Sequence, residues 1–150
     1  MNNKLNICLI KASLPSYFPD KYDVWGKSLS ELTKICKGLN VNLKIIDEIP
    51  MNANDAKNAL AECDELKADF VLILHGGFTM GDVALTFAAS KFKLGFWSVP
   101  EPIRTGDIQL NNFVSLNMSM SIAKKVRNTQ KYPIKWFHGN ADSSEFIKKL

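Results

Sequence analysis

Five short apolar runs recur along this chain of 150 residues, and between them the apolar residues change from continuous to helical spacing. The runs are NICLIK (Asn6 to Lys11), LKIID (Leu43 to Asp47), FVLIL (Phe70 to Leu74), LGFWSV (Leu94 to Val99) and IKWF (Ile134 to Phe137). Each has the length of a buried strand. In the first interval Trp25, Leu29, Leu32, Cys36 and Leu39 fall on one helical face, and in the second Ala56, Ala59, Leu60, Cys63 and Leu66 do the same. The third interval predicts a helix from about Gly81 to Lys91. The fourth predicts one from about Asn112 to Arg127, with Phe113, Leu116, Met120 and Ala123 on its apolar face, and a short fifth helix starts near Ser143. Gly38 reads as a left-handed cap ending the first helix, Asn54 as the N-cap of the second, and Pro133 as the break before the last strand.

Strict alternation of strand and helix requires right-handed crossovers, and near-continuous apolar strands require helices on both faces of a parallel sheet. The expected fold class is therefore α/β: a three-layer, doubly wound, flavodoxin-like parallel sheet of five strands in the order 2-1-3-4-5. One domain spans residues 1–150, a length that supports a core but leaves no room for a second, catalytic domain. Ligands on such sheets collect at the carboxyl ends of the strands, near the switch between the first and third.

Composition narrows the function classes. No window approaches the ~18 uninterrupted apolar residues of a membrane span, and the opening MNNKLNICLIKASLPSYF has too short an apolar core for a secretory signal, so it reads as a first strand in a cytoplasmic protein. Cys8, Cys36 and Cys63 are odd in number and far apart, with no C-x-x-C pair to grip zinc; they read as buried small hydrophobes. The net charge of +4 is spread over scattered lysines with no aromatic–basic groove, which argues against nucleic acid as a partner. Trp25, Trp97 and Trp136 read as core.

The stretch HGGFTMGD, His75 to Asp82, follows the third strand at the carboxyl edge. Gly76 and Gly77 permit positive φ and close backbone approach to a ligand, with His75 and Phe78 at the mouth and Thr79 offering a hydroxyl. Equally, two glycines make a strand-to-helix turn, and Asp82 serves as a first-turn acid of the helix that follows. The spacing matches neither G-x-x-x-x-G-K-[ST] nor G-x-G-x-x-G. KASLPSYF, after the first strand, lacks the glycines and hydroxyls of a flavin-phosphate cradle, and Ala12-Ser13-Leu14 lacks the acids of a receiver domain. A second segment, WSVPEPIRTGDIQLNNF, is long for a strand-to-helix loop. Pro100 and Pro102 hold Glu101 extended at the same edge, and Arg104 and Asp107 are placed to pair locally; a lined cleft and a subunit contact fit this loop equally. His138, after the fifth strand, lies two strands or roughly 10 Å from His75, too far to share a metal. It reads as a structural or rim residue, and no metal-ligand cluster or nucleophile elbow completes a catalytic shell.

In order, HGGFTMGDVALTFA, GFWSVPEP, GDIQLNNFVSLNMSMSIA and KWFHG resemble the amino-terminal domain of the L-fucose and L-arabinose isomerase family. The resemblance covers Ala68 to Gly139; the first 67 residues share only the strand and helix pattern. It implies part of an enzyme that isomerises an aldose to a ketose through an enediol, using a divalent metal, often manganese, and acidic residues in a later part of the chain. No cofactor, metal ligand or catalytic residue is carried onto these 150 residues. What the resemblance implies for them is a homo-oligomeric arrangement in which Phe78, with His75 and Thr79 around it, faces sugar at a neighbouring subunit's active site, while Asn117 and Glu101 shape the same rim. The isolated chain, as a fragment or a split subunit, is then expected to be inactive. The rival expectation is a free-standing flavodoxin-like module that binds a sugar or a partner without chemistry.

Overall fold

The computed structural model describes residues 4–150, so Met1–Asn3 of the opening segment lie outside it. Strands β1 (Asn6–Ala12), β2 (Asn42–Ile46), β3 (Phe70–His75), β4 (Leu94–Ser98) and β5 (Ile134–His138) alternate with helices α1 (Val24–Gly38), α2 (Ala53–Glu65), α3 (Gly81–Ala88), α4 (Asn112–Val126) and α5 (Ser144–Lys149). All pairings are parallel, in the order β2-β1-β3-β4-β5, the flavodoxin-like arrangement. Alternate side chains of the inner strands divide between two cores. Ile10, Ile73 and Phe96 pack with Leu60 of α2, Phe87 of α3 and Leu116 of α4, whereas Leu9, Leu72 and Trp97 pack with Leu32 of α1 and Phe146 of α5. Each fully buried large side chain among them contributes ~1.5–3 kcal/mol relative to exposure.

Burial follows position in the sheet. The inner strands are almost wholly buried, but β2 and β5 are flanked on one side only and remain half open. Trp136 is therefore a correction: on the edge strand β5 it is 49% exposed, while Trp25 and Trp97 are core as expected. Phe113 is a second correction, since the first turn of α4 overhangs the sheet end and leaves it 52% exposed. The three cysteines are buried, with Cys8 of β1 and Cys63 of α2 in the same core.

Two capping expectations also change. Gly38 is the last residue of α1, and the left-handed turn belongs to Asn40 at φ 56°, which an asparagine tolerates. Helix α2 starts earlier than read: Asn52 is its N-cap, and its side-chain oxygen accepts from the N–H groups of Asn54 and Asp55 at 2.8 and 3.0 Å. Helix α3 stops at Ala88, where the buried Arg127 donates to the carbonyls of Ala88, Phe92 and Tyr132. That guanidinium satisfies the Ala88 carbonyl that the end of α3 would otherwise leave unpaired, and ties it to the segments before β4 and β5.

Candidate functional site at the carboxyl rim

The glycine turn after β3 is filled by protein. Neither Gly76 nor Gly77 has positive φ; the positive-φ glycines are Gly106 and Gly139. A Cβ on Gly76 would stand 2.2 Å from the Trp25 ring, and one on Gly77 would stand 2.4 Å from Ser13 Oγ. Glycine is required here because α1 and the loop after β1 press against the turn. That loop is latched to it: Leu14 N–H donates to the Phe78 carbonyl at 2.7 Å, and the Tyr17 and Phe78 rings lie 5.9 Å apart. Phe78 is left half-buried beside Tyr17. Asp82 caps in an unexpected direction, accepting from Val83 N–H at 2.9 Å and, across the loop, from Ala53 N–H at the start of α2 at 3.1 Å.

His75 does not stand at a mouth. Its ring has no exposure, stacks on Phe96 with centroids 6.0 Å apart, and is held by Thr79 Oγ1 at Nδ1 (3.0 Å) and Ser119 Oγ at Nε2 (3.1 Å). A neutral imidazole has one donor and one acceptor nitrogen, and the two hydroxyls complement both. Burial pushes its pKa down to about 3, so it is neither a cation nor a working base near neutrality. Thr79 is equally covered, its N–H donating to Ser115 Oγ at 2.8 Å. The sugar-facing expectation for His75 and Thr79 is corrected: α4 crosses above the end of β3 and supplies the serines that bury them.

A second cluster lies on the β4–β5 side of the rim. In the strand register His75 faces Ser98, and Ser98 faces His138. Ser98 Oγ contacts His138 Nδ1 at 2.8 Å, and the His138 ring meets the edge of Phe113 at 4.7 Å. Partial burial lowers the His138 pKa, while the nearby Glu101 carboxylate opposes that shift. Glu101 is half-buried; its Oε2 accepts from Leu110 N–H at 2.9 Å and so ties the start of the long loop to its end. Among the described residues Arg104 and Asp107 make no ion pair, and both stay exposed. Asn117 is exposed one turn beyond Phe113, and the two residues, with Met120, Lys124 and Trp136, line a shallow groove between α4 and β5.

Phe78, Glu101 and Asn117 thus reach the surface at or beside the carboxyl end of the sheet, whereas His75 and Thr79 lie beneath it. Sequence reasoning missed the link from Ser98 through His138 to Phe113; its only signal was the register that sets Ser98 between the two histidines. Ser98 is wholly buried at a strand end, so it is not presented as a nucleophile. Among the described residues no three His, Cys, Asp or Glu side chains converge, and the nitrogens of His75 and Nδ1 of His138 are already engaged by hydroxyls. These residues do not fit a divalent metal. Among the described residues no helix is long and apolar enough to cross a membrane. Comparison of the chain with models of known families, with curated proteins and with solved structures found no match.

Proposed function

We propose that the chain is the amino-terminal, substrate-rim and assembly domain of an aldose–ketose isomerase of the L-fucose/L-arabinose type, one wall of a cleft whose metal site and acid–base groups belong to other polypeptide. The observation that carries this reading is the composition of the rim. An aromatic face (Phe113), a carboxylate (Glu101), an amide (Asn117) and an imidazole (His138) stand at or beside the carboxyl end of the sheet, while the most perturbed titratable histidine, His75, is sealed inside. Such groups stack on the C–H face of a sugar and hydrogen-bond its hydroxyls, which orients an open-chain substrate. Moving a proton between adjacent sugar carbons further needs polarised oxygens and a base within reach. A divalent metal, manganese by the resemblance, would supply the polarisation from the catalytic part in a cytoplasmic homo-oligomer.

The test is to assay the purified chain with manganese and L-fucose or L-arabinose, and then to titrate the same sugars calorimetrically. The expected result is no interconversion and weak binding that tightens when the catalytic polypeptide is added. Turnover by the chain alone would overturn the reading. Firm sugar binding by the chain alone would instead favour the second reading, a self-sufficient binding module, which the groove beside Phe113 and Trp136 also supports.

A further inference from the structure

Charge is divided unevenly between the two flanks of the helical layer formed by α2, α3 and α4. From Ile108 to Ala141 there is no aspartate or glutamate, and Lys124, Lys125 and Lys131 stand exposed at the carboxyl end of α4 and just beyond it. Arg127 does not add to this surface, because its guanidinium is spent on internal carbonyls. From Asp47 to Asp69 there are seven acidic residues and two lysines. Three of the seven are engaged locally: Asp55 with the α2 cap, Asp64 with Lys91, and Asp69 with Asn6. Asp47, Glu48, Glu62 and Glu65 remain exposed without an ion pair among the described residues.

The two surfaces lie at opposite ends of one layer. Helix α3 packs against both α2 and α4, and the sheet beneath ends in β2 on the acidic flank and β5 on the basic one. Each flank also carries exposed apolar side chains: Met51 and Leu66 beside the acids, Phe113 and Trp136 beside the lysines. The groove between those two rings has Lys124 in its wall.

We infer that the α4–β5 flank of one copy docks on the α2–β2 flank of another, a head-to-tail contact in which the exposed lysines meet the exposed carboxylates and Trp136 on the β5 edge is covered. Charge complementarity within a single molecule selects this pairing. A two-fold contact of the basic flank with itself would set lysine against lysine, and the acidic flank with itself would set carboxylate against carboxylate, so the favoured pairing is heterologous. Lys44 on β2 and Lys135 on β5 blunt the two strand edges, so contact through the helical layer is favoured over extension of the sheet. The two contacting faces do not depend on the sugar-isomerase reading.

The test is sedimentation velocity on the whole chain in low and high salt, with two charge-reversed variants. One is Lys124→Glu with Lys125→Glu, the other Glu62→Lys with Glu65→Lys. All four positions are exposed, so both variants should fold, which circular dichroism verifies. The unaltered chain should associate at low salt and weaken at least about tenfold at high salt, where screening shortens the reach of exposed charge. Each variant alone should be monomeric, and an equimolar mixture should associate again, because each reversed flank then finds its opposite. A monomer at every concentration in low salt would overturn the inference, as would association that survives both reversals or a mixture that stays monomeric.

Discussion

Lowering the pH should destabilise this fold through His75 specifically. The ring is fully buried among Phe96, Thr79 and Ser119, with no carboxylate in contact to compensate a positive charge. Its pKa falls from 6.5 in the ordinary state to about 3 in the fold. A depressed histidine pKa means that the unfolded chain binds the proton more readily. The native state is then fully favoured above pH 6.5, and stability is lost as pH falls from there toward 3. Each pH unit inside that window removes ~1.4 kcal/mol, so at about pH 4.5 the loss is roughly 2–3 kcal/mol, a large share of the ~5–15 kcal/mol typical of a domain. Urea unfolding followed by fluorescence reads this directly, since Trp97 is wholly buried. His75→Gln should be less stable at neutral pH, because it removes a ring from a packed site, but its stability should depend less on pH by about that amount. The shift at His138 has the same sign and is present in both proteins, so it cancels. Parallel pH profiles for the two proteins would refute the argument.

Three further outcomes follow from the rim. Gly76→Ala places a methyl group inside the Trp25 ring envelope and should destabilise the chain by ~1–3 kcal/mol, read as a lower Tm, whereas Gly38→Ala, with open space around it, should not. Asn52→Ala removes the two bonds its oxygen accepts from N–H groups of α2 and the one its amide donates to Asp55, and should cost about 1 kcal/mol, measured by the urea midpoint. Glu101→Gln keeps the size of the side chain but removes the charge beside His138, so the His138 pKa should fall further, visible as an NMR titration shifted to lower pH; an unchanged titration would show that the carboxylate does not act on it.

What the sequence determined by itself was local pattern and its topological consequence. Alternating apolar runs and amphipathic intervals led to five strands, five helices and the 2-1-3-4-5 parallel order, because short right-handed crossovers leave few other arrangements. It also located the loops after β3 and β4 at one end of the sheet. Only the tertiary structure decided which side chains there meet solvent. His75 and Thr79 follow a buried strand just as a ligand-binding residue would; they are sealed because Ser115 and Ser119, 36 and 44 residues from the partners they bond, arrive on α4. Gly76 and Gly77 read as freedom for the backbone, yet the demand comes from Trp25 and Ser13, which approach from the other side of the turn. Trp136 has the chemistry of a core residue and a surface position, because edge strands lack a neighbour. Burial at the rim is set by contacts between residues distant in the chain, and periodicity carries no information about those.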